Sequence, residues 1–233
     1  MLPNSEHVEA CFADGLGAAN KKDRLFIDCS TIDPFRSGAL AKQLADKGMG
    51  RFVDAPVSGG VKGASGGTLS FMVGMPSKET DPRVEQVLSK MGASIHYCGK
   101  AGAGLSAKLV NNYLLGLNNI ATAEAMNMGL KLGLKPSVLG QVINSSTGKC
   151  WPSEKNNPVA GIVPGAPAEN DFEGGFGIQL MLKDLGLALA AAEGAGVHLG
   201  AKDYALDIYQ KVATQYPNKD FGVLFKHYEA MSK

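Results

Sequence analysis

Lys108 and Asn112 stand four residues apart in Gly104-Leu105-Ser106-Ala107-Lys108-Leu109-Val110-Asn111-Asn112, at the head of a long apolar-periodic segment. Residues i and i+4 share one helix face, so both side chains can reach one cleft. A lysine near a helix N-terminus lies close to the positive end of the macrodipole. That position disfavours its charge and suits a group that exchanges a proton near neutral pH. Taken alone, the pattern also fits a solvated lysine on an amphipathic helix. A motif upstream, Asp54-Ala55-Pro56-Val57-Ser58-Gly59-Gly60, adds weight to the chemical reading. A serine hydroxyl followed by backbone N–H groups that no side chain shields, just after a buried strand, makes a seat for a carboxylate.

Other motifs carry less. Gly102-Ala103-Gly104-Leu105-Ser106-Ala107 satisfies G-x-G-x-x-A between a strand and a helix. The helix outruns a crossover unit, however, and no strand follows to bring a ribose-binding acid. These glycines are therefore expected to serve a sharp turn and close backbone approach. The cluster Ser58 to Gly67 lacks the Gly-Lys-Ser/Thr ending of a P-loop. His7, His96, His198 and His227 are far apart, Cys11, Cys29, Cys98 and Cys150 form no C-x-x-C, and no metal site is expected. The absence of a G-x-S-x-G elbow argues against a serine hydrolase.

The elements that must hold these residues divide into two kinds. Residues 24–28, 51–57, 68–73 and 94–98 read as strands, and 33–48 as a helix with Asp33-Pro34 at its start and Gly48 past its end. From Leu105 the strands stop. Residues 105–134, 136–146, 178–194, 200–215 and 220–232 carry Ala, Leu and a period near 3.6, the pattern of packed helices. Residues 152–177, rich in Pro, Gly and Asn, read as a long irregular segment. The expected fold is α/β plus all-α: a truncated Rossmann-type remnant over residues 1–103, then an all-helical substrate and oligomerisation domain over 104–233 that opens with the long helix. With 233 residues, a net charge of +1 and no long run of one sign, the chain is expected to bind neither nucleic acid nor membrane. Scattered cysteines and an unremarkable N-terminus lead to the expectation that it is not secreted.

Read together, these residues resemble the β-hydroxyacid dehydrogenase family. The resemblance rests on Met1-Leu2-Pro3, Asp28-Cys29-Ser30-Thr31-Ile32-Asp33-Pro34, Asp54 to Gly60, Lys108 to Asn112, Gly174-Gly175-Phe176 and Leu180 to Leu187, in order along nearly the whole chain. It implies an NAD-dependent oxidation of a short 3-hydroxy acid to its semialdehyde, as in valine degradation. Lys108 would be the general acid/base, Asn112 would help hold substrate, and Ser58, Gly59 and Gly60 would bind its carboxylate. Leu2, Pro3 and Thr31 would line the NAD cleft and Lys183 would close over the cofactor. Lys183-Asp184 also reads plainly as a solvated face. The resemblance further implies a homo-oligomer, dimer or tetramer, in mitochondria for a eukaryote and in cytoplasm otherwise. Alternatives are a tartronate or succinic semialdehyde reductase of the same family, or an inactive helical oligomerisation module. The family's opening strand and G-L-G-x-M-G turn have no counterpart; Gly15-Leu16-Gly17-Ala18-Ala19-Asn20 lacks the final glycine. A missing first half would impair NAD binding.

Overall fold

The computed structural model describes residues 1–13 and 23–232; the Gly15 to Asn20 segment lies outside them. Contacts group the chain into two compact units, Met1–Val110 with Glu193–Ala195, and Asn111–Ala192 with Gly196–Lys233.

The first unit is α/β. Helix α1 (Ser5–Ala13) precedes strand β1 (Leu25–Asp28), helix α2 (Pro34–Asp46) and strand β2 (Arg51–Asp54). Strand β3 (Val57–Ser58), helix α3 (Gly60–Ser65), strand β4 (Leu69–Val73), helix α4 (Pro82–Leu88) and strand β5 (Gly92–Tyr97) follow. β1 and β2 pair in parallel with Phe26 opposite Phe52; β3 runs antiparallel to β4, and β4 parallel to β5. Side chains alternate across a strand, and β2 uses both faces. Phe52 packs with Val8, Leu40 and Leu44, while Val53 packs with Phe71, Val84 and Leu88. α2 forms where its punctuation predicts: the Asp33 carboxylate accepts from the amides of Phe35 and Arg36, Pro34 occupies the first turn, and Gly48 turns out with φ +64°.

Three expectations need correction. Residues 51–57 are not one strand, because Pro56 has no N–H to continue the ladder. The chain leaves β1 after Asp54 and pairs with β4 from Val57. Within the glycine cluster, Gly60–Ser65 closes into a short helix, with Gly63 N donating to Gly59 O at 2.9 Å. The 152–177 segment likewise contains helix α7 (Trp151–Lys155) and a 3-10 turn, Pro167–Asn170.

In the second unit the described elements are helical: most of α5 (Ala103–Lys131), then α6 (Pro136–Ser145), α7, α8 (Ile178–Gly194), α9 (Lys202–Gln215) and α10 (Leu224–Met231). Ile120, Ala123 and Met126 of α5 recur at helical spacing and pack with Ile178, Met181 and Leu185 of α8 and Ile208 and Val212 of α9. The Tyr209 ring is fully buried, and its hydroxyl donates to Gly116 O and accepts from Asn119 Nδ2. Asp220, also buried, gathers three donors: Asn156 Nδ2 at 2.9 Å, Phe176 N at 2.7 Å and Gly222 N at 2.8 Å. Gly175 is required beside it, since a Cβ there would stand 2.2 Å from Asp220 Oδ2.

Candidate active site

Lys108 is the sixth residue of α5 and is 7% exposed, so the solvated-lysine reading does not hold. Its setting also alters the macrodipole argument. The helix-end field acts mainly within the first turn, which Lys108 lies beyond, and a carboxylate already meets that end. Asp54 closes β2, and its side chain accepts from Gly102 N at 2.8 Å and Leu105 N at 3.0 Å. Burial pushes the Asp54 carboxyl above its ordinary range, with these amides pulling the other way. The G-x-G-x-x-A segment is therefore a docking place for the chain's own carboxylate. Its glycines permit the approach: a Cβ on Gly104 would lie 2.1 Å from Met72 O, and one on Gly102, where φ is +85°, 2.6 Å from Pro34 O.

Ser58 ends β3, and the chain turns into α3 through Gly59 (φ +135°) and Gly60 (φ +59°). L-residues other than glycine rarely adopt two such conformations in succession. Both glycines are exposed and Ser58 is half-buried. Amides at a helix start point outward along its axis, so the turn offers a hydroxyl and backbone donors together.

Leu2 and Thr31 are brought to one place by Ser30. The buried Ser30 hydroxyl accepts from Leu2 N at 2.8 Å and donates to Asp28 Oδ1, which ties Leu2-Pro3 to the carboxyl end of β1. Strand carboxyl ends are where open α/β sheets take dinucleotides, and Leu2 and Thr31 both remain part-exposed. These residues fit a dinucleotide laid across the strand end.

In the helical unit Asn112 and Lys183 share a partner. Asn112 Nδ2 donates to Asp184 Oδ2 at 2.6 Å, and Lys183 Nζ lies 3.2 Å from Asp184 Oδ1. Asp184 is 3% exposed, which overturns the solvated-face reading of that residue. Its position one step after Lys183, on a helix whose neighbours are apolar, was the available clue. Asp54, too, stood at the end of an apolar strand run with nothing to show its distant partners. Ser30, beside Thr31 in the sequence, gave no sign of its own that its hydroxyl would tie Leu2 to Asp28.

Comparison with known proteins agrees with this architecture. Residues 102–228 match the family described as NAD-binding of NADP-dependent 3-hydroxyisobutyrate dehydrogenase. Residues 1–99 match the NAD binding domain of 6-phosphogluconate dehydrogenase. A mitochondrial 3-hydroxyisobutyrate dehydrogenase of Drosophila melanogaster is 44% identical over 226 residues, covering 97% of this chain and 69% of that protein. The 3-hydroxyisobutyrate dehydrogenase of Pseudomonas aeruginosa is 45% identical, covering 98% and 78% respectively. A solved Mycobacterium tuberculosis 3-hydroxyisobutyrate dehydrogenase with L-serine superposes with a TM-score of 0.91 at 44% identity, covering 97% of this chain and 77% of that one. The chain belongs to the β-hydroxyacid dehydrogenase family and is an oxidoreductase whose cofactor is a nicotinamide dinucleotide. Among the described residues no helix is long and apolar enough to cross a membrane.

Proposed function

We propose that the chain oxidises 3-hydroxyisobutyrate to its semialdehyde with NAD. The relatives named above support the substrate. The observation that carries the chemistry is the pair of left-handed glycines after Ser58, which bares a hydroxyl and backbone amides at the start of α3. In this reading Ser58, Gly59 and Gly60 grip the carboxylate and fix the carbinol end of a short acid. Asn112, its amide oriented by Asp184, adds a hydrogen bond to the substrate. Leu2, Pro3 and Thr31 hold the dinucleotide, with Lys183 a further contact to it. The bound dinucleotide supplies the hydride acceptor. Lys108 Nζ, in its neutral form, takes the hydroxyl proton as the carbinol C–H bond is lost, and returns a proton to the carbonyl oxygen in the reverse direction.

The proposed boundary between nucleotide-binding and helical parts lies at residues 103/104. The homo-oligomer of the proposal would cover Leu114 and Met128, exposed on α5, and Leu132, exposed just past its end. A mitochondrial setting follows for a eukaryotic source and a cytoplasmic one for a bacterial source.

A substrate panel tests the assignment. 3-Hydroxyisobutyrate should give the highest kcat/KM, at least about tenfold above the hydroxy acids of tartronate and succinic semialdehyde, the discrimination of about 1.4 kcal/mol that pocket contacts readily supply. A higher value for either rival would transfer the assignment to that reductase.

A further inference from the structure

We infer that Asp54 is a positioning residue for catalysis: it clamps the start of the Lys108 helix to the strand that leads into Ser58-Gly59-Gly60. The inference rests on the proposed roles of those residues and adds one that the reaction itself does not use. Asp54 is 1% exposed, and both carboxylate oxygens are engaged at the head of α5, Oδ1 by Gly102 N just before the helix and Oδ2 by Leu105 N in its first turn. Its backbone carbonyl accepts from Gly74 N at 2.8 Å, so the same residue also joins β2 to the end of β4. The space around it is fitted to the carboxylate. A Cβ on Gly74 would stand 1.9 Å from Asp54 Oδ1, and one on Gly104 2.9 Å from Oδ2. Lys108 follows Leu105 by three residues, under one helical turn and about 4.5 Å along the axis. Ser58 follows Asp54 by four residues, through the rigid Pro56. The proposed proton acceptor and the proposed carboxylate seat thus extend in two directions from one side chain.

An ionised carboxylate at a helix N-terminus gains from the dipole and from charge-assisted hydrogen bonds. Such a cap could serve stability alone. The clamp makes a narrower claim: loosening it displaces the amine relative to the carboxylate seat, and a displacement of about 1 Å can cost about 10²-fold in rate.

The test compares four variants of the whole chain well below their unfolding temperatures: Asp54→Asn, Gly104→Ala, Leu88→Ala and Lys108→Met. Asp54→Asn keeps the shape but sets an amide group against one of the two N–H donors. Gly104→Ala keeps the carboxylate and forces the helix start away from Met72 O. Leu88→Ala hollows the core of the same unit without touching the clamp. Two quantities are read: acylation of the Lys108 amine by acetic anhydride, resolved by peptide mapping, and turnover per folded molecule with 3-hydroxyisobutyrate, unlabelled and deuterated at the carbinol carbon. Asp54→Asn and Gly104→Ala should each raise Lys108 acylation about tenfold through local opening of the first turn. They should lower kcat with a larger isotope effect and leave the NAD dissociation constant within about twofold, as loss of a transition-state interaction requires. Leu88→Ala should lower the melting temperature and change neither quantity. If either clamp variant folds and keeps wild-type Lys108 acylation, or if Leu88→Ala raises acylation equally, the positioning role is overturned. Retained turnover in Lys108→Met would overturn the proposed function instead, and the acylation result would stand apart from it.

Discussion

Replacing Lys108 by methionine should lower turnover of 3-hydroxyisobutyrate by about 10²–10⁴-fold relative to the unaltered chain, the usual contribution of a positioned general acid/base. Methionine keeps the unbranched stem and removes the amine, and at a position only 7% exposed an apolar side chain is tolerated. The loss corresponds to roughly 3–5 kcal/mol of transition-state stabilisation. It should appear in kcat, with KM for the acid changed by less than about threefold, because the Ser58–Gly60 seat is untouched. Steady-state kinetics decide the matter, with cofactor affinity measured alongside by calorimetry. A variant retaining more than about a tenth of the turnover would remove Lys108 from the reaction.

Replacing Asp220 by alanine should cost the helical unit about 2–4 kcal/mol. Three donors lose their acceptor at once: Asn156 Nδ2, Phe176 N and Gly222 N. Each buried orphan costs about 1–3 kcal/mol, and removing a desolvated carboxylate returns part of that sum. For a chain of this size the melting temperature should fall by roughly 4–16 °C, and a shift under about 1 °C would contradict the account. The pH dependence has a definite sign. Burial pushes the Asp220 carboxyl above its ordinary 3.8, against the hydrogen bonds that lower it. The native state therefore holds the proton more tightly, so this group's contribution to stability falls as pH rises from that value to the folded one and then levels off. Denaturant titrations across the acid range should show that slope diminished in Asp220→Ala.

These two residues mark how far the sequence could be read. The helix that carries Lys108 was legible because its signal is local, an unbroken apolar periodicity from Leu105 onward. α2 was legible for a similar reason, since Asp33-Pro34 and Gly48 act on the chain beside them. Asp54, Asp184 and Asp220 were not, because a buried carboxylate is defined by donors remote in sequence. Their partners lie at Gly102 and Leu105, at Asn112, and at Asn156. Pattern alone reads such acids as solvent-facing. The glycines at 102 and 104 gave half of the answer, close backbone approach, without naming the carboxylate that approaches. α3 was hidden by composition: glycine costs a helix about 1 kcal/mol per residue, and Gly60–Ser65 forms one nonetheless. Pro56 did mark the break between β2 and β3, and the apolar run around it obscured the sign.

Deuterium transfer follows the hydride and the role of the lysine in one experiment. The chain is incubated with oxidised NAD and 3-hydroxyisobutyrate deuterated at the carbinol carbon, and the dinucleotide is analysed by mass spectrometry. Each reduced dinucleotide formed by the unaltered chain should carry a single deuterium, and this product should be lost together with turnover in Lys108→Met. Reduced dinucleotide without the label, or labelled product formed equally well without the lysine, would contradict the proposed function.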